Sequence, residues 1–369
     1  MNPHYHSHPL EAFRQKISEL DVDAEVHHTE GCSVTKWLPL AVQDQWSMTS
    51  HPTQRDEHEL SVFKIDFFAS AELNADVCDT QYRCSSNFDL TDSGPSHLRE
   101  SGQPYSLRIT SFVTPQTSGK HMFGITNVGH ARLWVDGVLL VDNYSWTEPG
   151  GASHAFFSAE STASLQMCAG QSYLVVMEAA SWVEELVADG KLALVWSMQP
   201  SVRLGFREEQ SATLTSDAVT VAKECGYTVR VIGLNDEWEG EGYDRKTMAL
   251  PLAQDELLNA MLEETGRPES IVVVNQSGSA VEMPWESKAH TILQAWYGGQ
   301  EAGNALADVL LRVTSRSGRP PITWLGCYDD LHFSESKESW PGVDGDVHYT
   351  EGVDIGYRWY LKRTVRPLW

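Results

Sequence analysis

The chain has 369 residues, 41% hydrophobic and 21% charged, a globular balance with length enough for two domains that each bury a core. Lysine and arginine total 27 against 51 aspartates and glutamates, a net charge of −24, which sets the surface against nucleic acid and anionic lipid and leaves neutral ligands such as sugars unaffected. No apolar run reaches the ~18 residues of a membrane span, and the start, MNPHYHSHPL, has no apolar signal core.

The first stretch is mixed. Leu10, Phe13, Ile17 and Leu20 recur at helical spacing and predict an amphipathic helix. His4, His6 and His8 alternate just before it; a frayed terminus is the ordinary reading of such a run. A polar stretch with Glu30, Gly31 and Cys32 follows, then Lys36-Trp-Leu-Pro-Leu40, then a charged linker from Gln54 to Glu59.

From about residue 60 to 200 the pattern is strand-like. Val62–Phe67, Tyr105–Phe112, Ala131–Val135 and Ser172–Met177 each read as strands. Asp136-Gly137 between Val135 and Val138 is a two-residue hairpin signal. Short strands with polar turns and no convincing helix predict a β-sandwich, with Phe123 and Trp134 in its core. Tyr144 and Trp146 follow a strand end in a Gly-, Pro- and Ser-rich loop. Aromatic rings stack on sugar faces, so the pair is a candidate substrate-binding wall; a loop hydrophobe packed on its own module is the plainer alternative. No adjacent Asp-Asp marks a loop tip, so no calcium-dependent lectin site is expected.

Beyond residue 200, strand and helix alternate. Helices are predicted over 215–225 and 254–264, strands over 228–234 and 270–274, and a helical stripe at Ala302, Ala305, Leu306, Val309 and Leu310. This βαβ pattern implies a parallel sheet. The first stretch is too short for a domain of its own. The expected architecture is therefore α/β plus all-β: residues 1–58 and 201–369 form one α/β sandwich domain, interrupted by a β-sandwich at 59–200.

The chemistry concentrates in GLNDEWEGEGYDR, Gly233 to Arg245, which leaves the apolar strand at 228–233. Loops at the carboxyl ends of strands are where open α/β sheets hold ligand chemistry. Five carboxylates, Asp236, Glu237, Glu239, Glu241 and Asp244, fall within it, and Glu241 lies between two glycines that do not crowd it. On charge alone a solvated acidic loop is the default. Glu237 and Glu239 read as structural or exposed, Asp244 and Arg245 as a local pair, and the turn after Asn275 as packing against this loop. Gly298-Gly299 before a helix is weak evidence for an anion site. The six cysteines, at 32, 78, 84, 168, 225 and 327, form no CxxC pattern. Their scatter fits a cytoplasmic chain slightly better than a secreted one, although Cys78 and Cys84 are near enough to bridge a loop.

These residues carry a resemblance. GLNDEWEGEGYDR, VVVNQSGSAVEMPW (Val272–Trp285) and QAWYGGQEAGNALADVL (Gln294–Leu310), in that order, resemble the second domain of glycoside hydrolase family three β-glucosidases. FGITNVGHARLWVDGVLLVDN (Phe123–Asn143) looks like the protective-antigen-type β-sandwich that some members carry inserted, and HYTEGVDIGYRWY (His348–Tyr360) matches the approach to the family's closing segment. Ser315-Arg-Ser-Gly-Arg-Pro-Pro321 departs from the family's Pro-Ser-Gly-Lys-Leu-Pro turn.

The resemblance implies a retaining hydrolase of terminal β-glucosyl residues, with Glu241 as the general acid/base and with β-glucosides or cello-oligosaccharides as substrates. It implies no cofactor and no metal. The family's aspartate nucleophile belongs to a preceding (β/α)₈ barrel, which takes roughly 250 residues and has no counterpart here. The chain is expected to be a middle piece, inactive by itself, with the barrel its missing partner. The alternatives are a non-catalytic sugar-binding or partner-domain remnant and, without any GxGxxG or Walker-type loop to support it, a nucleotide-binding protein.

Overall fold

The computed structural model describes residues 5–21, 23–41, 44–50, 61–90, 93–145, 150, 157–181, 199–240, 245–334 and 336–369. It combines helices with several sheets and divides into two compact units. One is built on Thr35–Ser211; the other joins Met1–Val34, Ala212–Glu239 and Arg245–Trp369.

The Thr35–Ser211 unit is antiparallel. Its strands are β1 (Trp46–Ser47), β2 (Phe63–Phe68), β3 (Val77–Arg83), β4 (Asn87–Phe88), β5 (Ser106–Val113), β6 (Gly119–Val128), β7 (His130–Val135), β8 (Val138–Asn143), β9 (Ser161–Met167), β10 (Tyr173–Ala180) and β11 (Ser201–Arg207). One sheet runs β3-β2-β5-β10-β7-β8 with β1 on β5, and the other runs β4-β11-β6-β9. Alternation decides what each strand buries. Phe63, Ile65 and Phe67 of β2, Leu107 and Ile109 of β5, and Phe123 and Ile125 of β6 all enter one shared core. Phe63 meets Trp46 at 5.5 Å and Phe88 edge-on at 5.2 Å, while Phe123 meets Phe206 at 4.9 Å. These tilted and edge-on pairs suit the ring quadrupoles better than face-to-face stacks.

The Asp136-Gly137 turn joins β7 to β8 with Val135 opposite Val138. Both turn residues have positive φ, 48° and 78°, as a type I′ hairpin requires. Aspartate serves here because its Oδ1 accepts from the Leu174 N–H at 2.8 Å.

Two expectations change. The 58/59 and 200/201 boundaries do not match the units. Trp46 pairs with Val113, Leu40 bridges Gly205, and Ser201–Arg207 pairs along β6, so residues near both expected edges join the antiparallel sheets. Locally, SVRLGFR reads like any apolar strand; its partner lies 73 positions earlier at Ser201↔Val128 and 85 earlier at Arg207↔Met122, and leaves no local trace. Trp134, expected in the core, is only partly buried, because period 2 puts it on the face of His130 and Arg132 while Ala131, Leu133 and Val135 point inward.

The second unit carries α1 (Pro9–Glu19), α3 (Leu214–Glu224), α4 (Gln254–Glu264), α5 (Ala302–Leu310) and α6 (Tyr357–Arg363); a short turn, α2 (Ser96–Arg99), belongs to the first. Its sheet is parallel, in the order β12 (Thr228–Gly233), β13 (Ile271–Gln276), β14 (Thr291–Gln294). The central strand buries Ile271, Val273, Val274 and Asn275, as a parallel strand flanked on both sides should. Leu257 and Leu258 of α4, Trp285 and Trp324 complete the core. The buried indoles have partners: Trp285 donates to Asp255 Oδ1 at 2.7 Å and Trp324 to the Val281 carbonyl at 2.9 Å. All six cysteines are free thiols, so Cys78 and Cys84 make no bridge.

Candidate active-site loop

The loop begins where β12 ends. Gly233 has φ 141°, and a Cβ there would lie 2.0 Å from the Gln276 carbonyl oxygen, so only glycine lets the chain leave the sheet at this point. The fully buried side chain of Gln254 secures the junction, accepting from the Gly233 N–H at 2.8 Å and donating to its carbonyl at 2.9 Å. The Leu234 N–H then donates to Gln276 O at 2.9 Å. Asn235 initiates a tight turn: its carbonyl accepts from Trp238 and Glu239 at 3.0 Å each, and its Oδ1 accepts from Glu237 N–H at 3.1 Å. The Trp238 indole donates to the Val34 carbonyl at 2.7 Å.

Glu239 is held by several donors. Its Oε2 accepts from the Gly278 N–H at 2.8 Å and from the Tyr297 hydroxyl, and its Oε1 accepts from the Ser279 hydroxyl. Arg245 stands 4.0 Å from Oε1, and both side chains are only 16% exposed. Arg245 also donates to Ser279 Oγ at 3.0 Å. Gly278 allows the close approach, since a Cβ there would lie 2.9 Å from the Tyr297 ring. Below it, Asn275 donates to Ser277 Oγ at 2.9 Å and to Gln294 Oε1 at 2.6 Å, tying the ends of β13 and β14 together. The turn after Asn275 thus packs on the loop as its sequence suggests; Arg245 faces Glu239 at 4.0 Å, and its expected partner Asp244 lies outside the described residues.

Burial raises the pKa of Glu239, but hydrogen bonds from Ser279, Tyr297 and Gly278 and the charge of Arg245 outweigh it, leaving the group below its usual 4.5. Burial and the facing Glu239 push the Tyr297 phenol up. Glu239 is therefore an ionised acceptor with no proton to donate near neutral pH. A depressed folded-state pKa contributes stability that is complete above the unfolded value and is lost as pH falls through the folded one. Glu239→Gln is accordingly expected to destabilise this unit at pH 7 and to weaken the fall in stability below about pH 4.5. Denaturant melts between pH 3 and 7 read this directly; parallel pH curves for the two proteins would remove Glu239 as the titrating anchor.

Glu241 and Asp244 lie outside the described residues, as does Trp146. Tyr144 is described and 42% exposed. Its ring stacks on His130 with centroids 4.0 Å apart, and the Arg132 guanidinium lies 4.4 Å from its centroid. An open groove of about 900 Å³ runs between β14, α5 and residues 314–320, lined by Trp296, Leu306, Arg316, Arg319 and Trp369, without any described residue of the 234–245 loop. Among the described residues no group of three or more His, Cys, Asp or Glu is placed to hold a metal, and no helix is long and apolar enough to cross a membrane. Tyr297 is the loop partner that sequence reading passes over; 58 positions separate it from Glu239, and no local pattern links them.

A family model for the glycosyl hydrolase family 3 C-terminal domain matches residues 1–357. A β-glucosidase of Rhizobium radiobacter is 32% identical over 99% of this chain and 41% of its own length. A probable β-glucosidase J of Neosartorya fischeri is 36% identical over 96% of this chain and 40% of its own. The crystal structure of a Kluyveromyces marxianus β-glucosidase in complex with glucose superposes on the whole chain with a TM-score of 0.84 at 27% identity, over 42% of its length. The chain thus spans about two fifths of the relatives it matches.

Proposed function

The chain belongs to the glycosyl hydrolase family 3 C-terminal domain family, and from that premise we propose that it is the portion of a retaining β-glucosidase that carries the general acid/base, Glu241. In this reading the Thr35–Ser211 unit is a protective-antigen-type β-sandwich inserted into an α/β domain, and the aspartate nucleophile comes from a barrel outside this chain. Terminal β-glucosides and cello-oligosaccharides are the substrates.

The mechanism needs two carboxyl groups about 5 Å apart. The nucleophile attacks the anomeric carbon while Glu241, protonated, gives its proton to the departing glycosidic oxygen as the C–O bond breaks. The resulting carboxylate then takes a proton from water, which displaces the enzyme carboxylate from the sugar. The observation that supports Glu241 over its neighbour is the engagement of Glu239. A carboxylate held ionised by three donors and an arginine is unsuited to protonate anything. In sequence the next acid, Glu241, lies between two glycines, which carry no side chains to crowd it.

By itself this chain is expected to release no nitrophenol from 4-nitrophenyl β-D-glucoside above the uncatalysed rate, since a proton donor without a nucleophile has no efficient route. Steady hydrolysis that disappears in Glu241→Gln would mean the second carboxyl group is already here, and would end the half-site reading.

Tyr144 and Trp146 are proposed as part of a subsite wall. A stacking wall needs a ring face open to sugar, and His130 covers part of Tyr144. Titration of the chain with cellobiose, with and without Tyr144→Ala, tests the assignment; identical heats would remove Tyr144 from it.

A further inference from the structure

We infer that Glu239 is a positioning residue whose carboxylate locks the 234–245 loop onto the turn after β13 and onto Tyr297, and so holds both ends of the short segment bearing Glu241. The inference rests on the reading of Glu241 as acid/base for its catalytic purpose, but the lock itself stands on described geometry.

Glu239 and Arg245 border the Gly240–Asp244 segment on its two sides in sequence. They lie 4.0 Å apart and share Ser279, which donates to Glu239 and accepts from Arg245 at 3.0 Å. A single carboxylate thus gathers one end of the segment, the other end, the Gly278 N–H, the Ser279 hydroxyl and a tyrosine from beyond β14. Tyr297 gives the lock its direction: its hydroxyl meets the same Oε2 that takes the Gly278 N–H, so both donors approach one oxygen while Ser279 and Arg245 approach the other. Proton transfer to a leaving oxygen requires the acid within hydrogen-bond reach, and a displacement of about 1 Å can cost 10²-fold. An acid on a loop lacks the precision of one on a strand or helix unless a supporting shell holds it. Aspartate is one methylene too short to span these partners, and alanine removes them all.

The test is residue-resolved hydrogen exchange on the full chain, comparing wild type with Glu239→Ala and Gly278→Ala. The reporters are the Trp238 and Glu239 amides, which donate to the Asn235 carbonyl and not to the Glu239 side chain. Loss of even one hydrogen bond to a charged acceptor corresponds to about a tenfold change or more in a local opening equilibrium. Both variants are expected to speed exchange at 234–239 and 277–280 by at least about tenfold, with protection of α4 and β13 retained. Gly278→Ala keeps the carboxylate but crowds Tyr297, so it reports on the lock even where removing the acid disturbs folding. Unchanged exchange at Trp238 and Glu239 in both variants would overturn the inference. So would a uniform rise across α4 and β13, which would mark Glu239 as a general stabiliser. Local opening accompanied by a harmless Glu241→Gln in an active enzyme would instead overturn the acid/base assignment and leave the lock standing, so the two can fail separately.

Discussion

Glu241→Gln is expected to lower turnover of an alkyl β-glucoside by about 10²–10⁴-fold, the usual contribution of a positioned general acid, once this chain replaces the matched region of the Rhizobium radiobacter β-glucosidase. The effect should depend on the leaving group. An alkoxide leaves badly without a proton, so that substrate bears the whole loss. Dinitrophenolate needs no proton, so formation of the glucosyl-enzyme should proceed nearly as before and the second step should become limiting, because water then lacks its base. Azide attacks without general base help. It should restore turnover in the variant and yield the β-glucosyl azide, with the nucleophile's carboxylate released as the C–N bond forms. Retained hydrolysis of the alkyl substrate in Glu241→Gln, or no azide product, would place the acid elsewhere.

The second large effect concerns the scaffold under the loop. Trp285 is fully buried in the parallel-sheet unit and donates to Asp255 at 2.7 Å. Trp285→Ala is expected to cost about 3–5 kcal/mol through lost burial and a residual cavity. It also strips a half-buried carboxyl group of its donor. Asp255 is already pushed above its usual pKa by burial, and the Trp285 hydrogen bond works against that push. Trp285→Phe should cost less, since it keeps an aromatic ring in the site and leaves a smaller cavity, although it too loses the indole N–H. Guanidinium unfolding followed by circular dichroism measures both. A loss below about 1 kcal/mol for the alanine variant, the size of an ordinary surface change, would mean that the core does not depend on this indole.

Much of the fold could be read along the chain because its elements follow local rules. The helix expected over 254–264 is α4, and the strand expected over 228–234 is β12. Both rest on periodicity, which needs only neighbours in sequence. The Asp136-Gly137 hairpin likewise followed from two residues suited to positive φ. The unit boundaries were less legible. Nothing in SVRLGFR says that it pairs with β6, and nothing in Trp46-Ser47 says that it pairs with β5. Strand pairing is a contact at long sequence separation, and a short apolar run suits more than one sheet. Trp134 departs from the expected core for a local reason: the alternation of HARLWV puts it on the face of His130 and Arg132.

For the loop, composition and spacing alone established a strand, a glycine exit and a cluster of carboxylates that includes a glycine-flanked glutamate, because backbone freedom and residue chemistry are local properties. They could not say which distant groups meet each carboxylate. The surroundings of Glu239 came from the folded chain, where Gly278, Ser279 and Tyr297 arrive from 39 to 58 positions away to meet it. The charge state of an acid depends on which donors and which dielectric surround it, and those are assembled only when the sheet brings distant turns together.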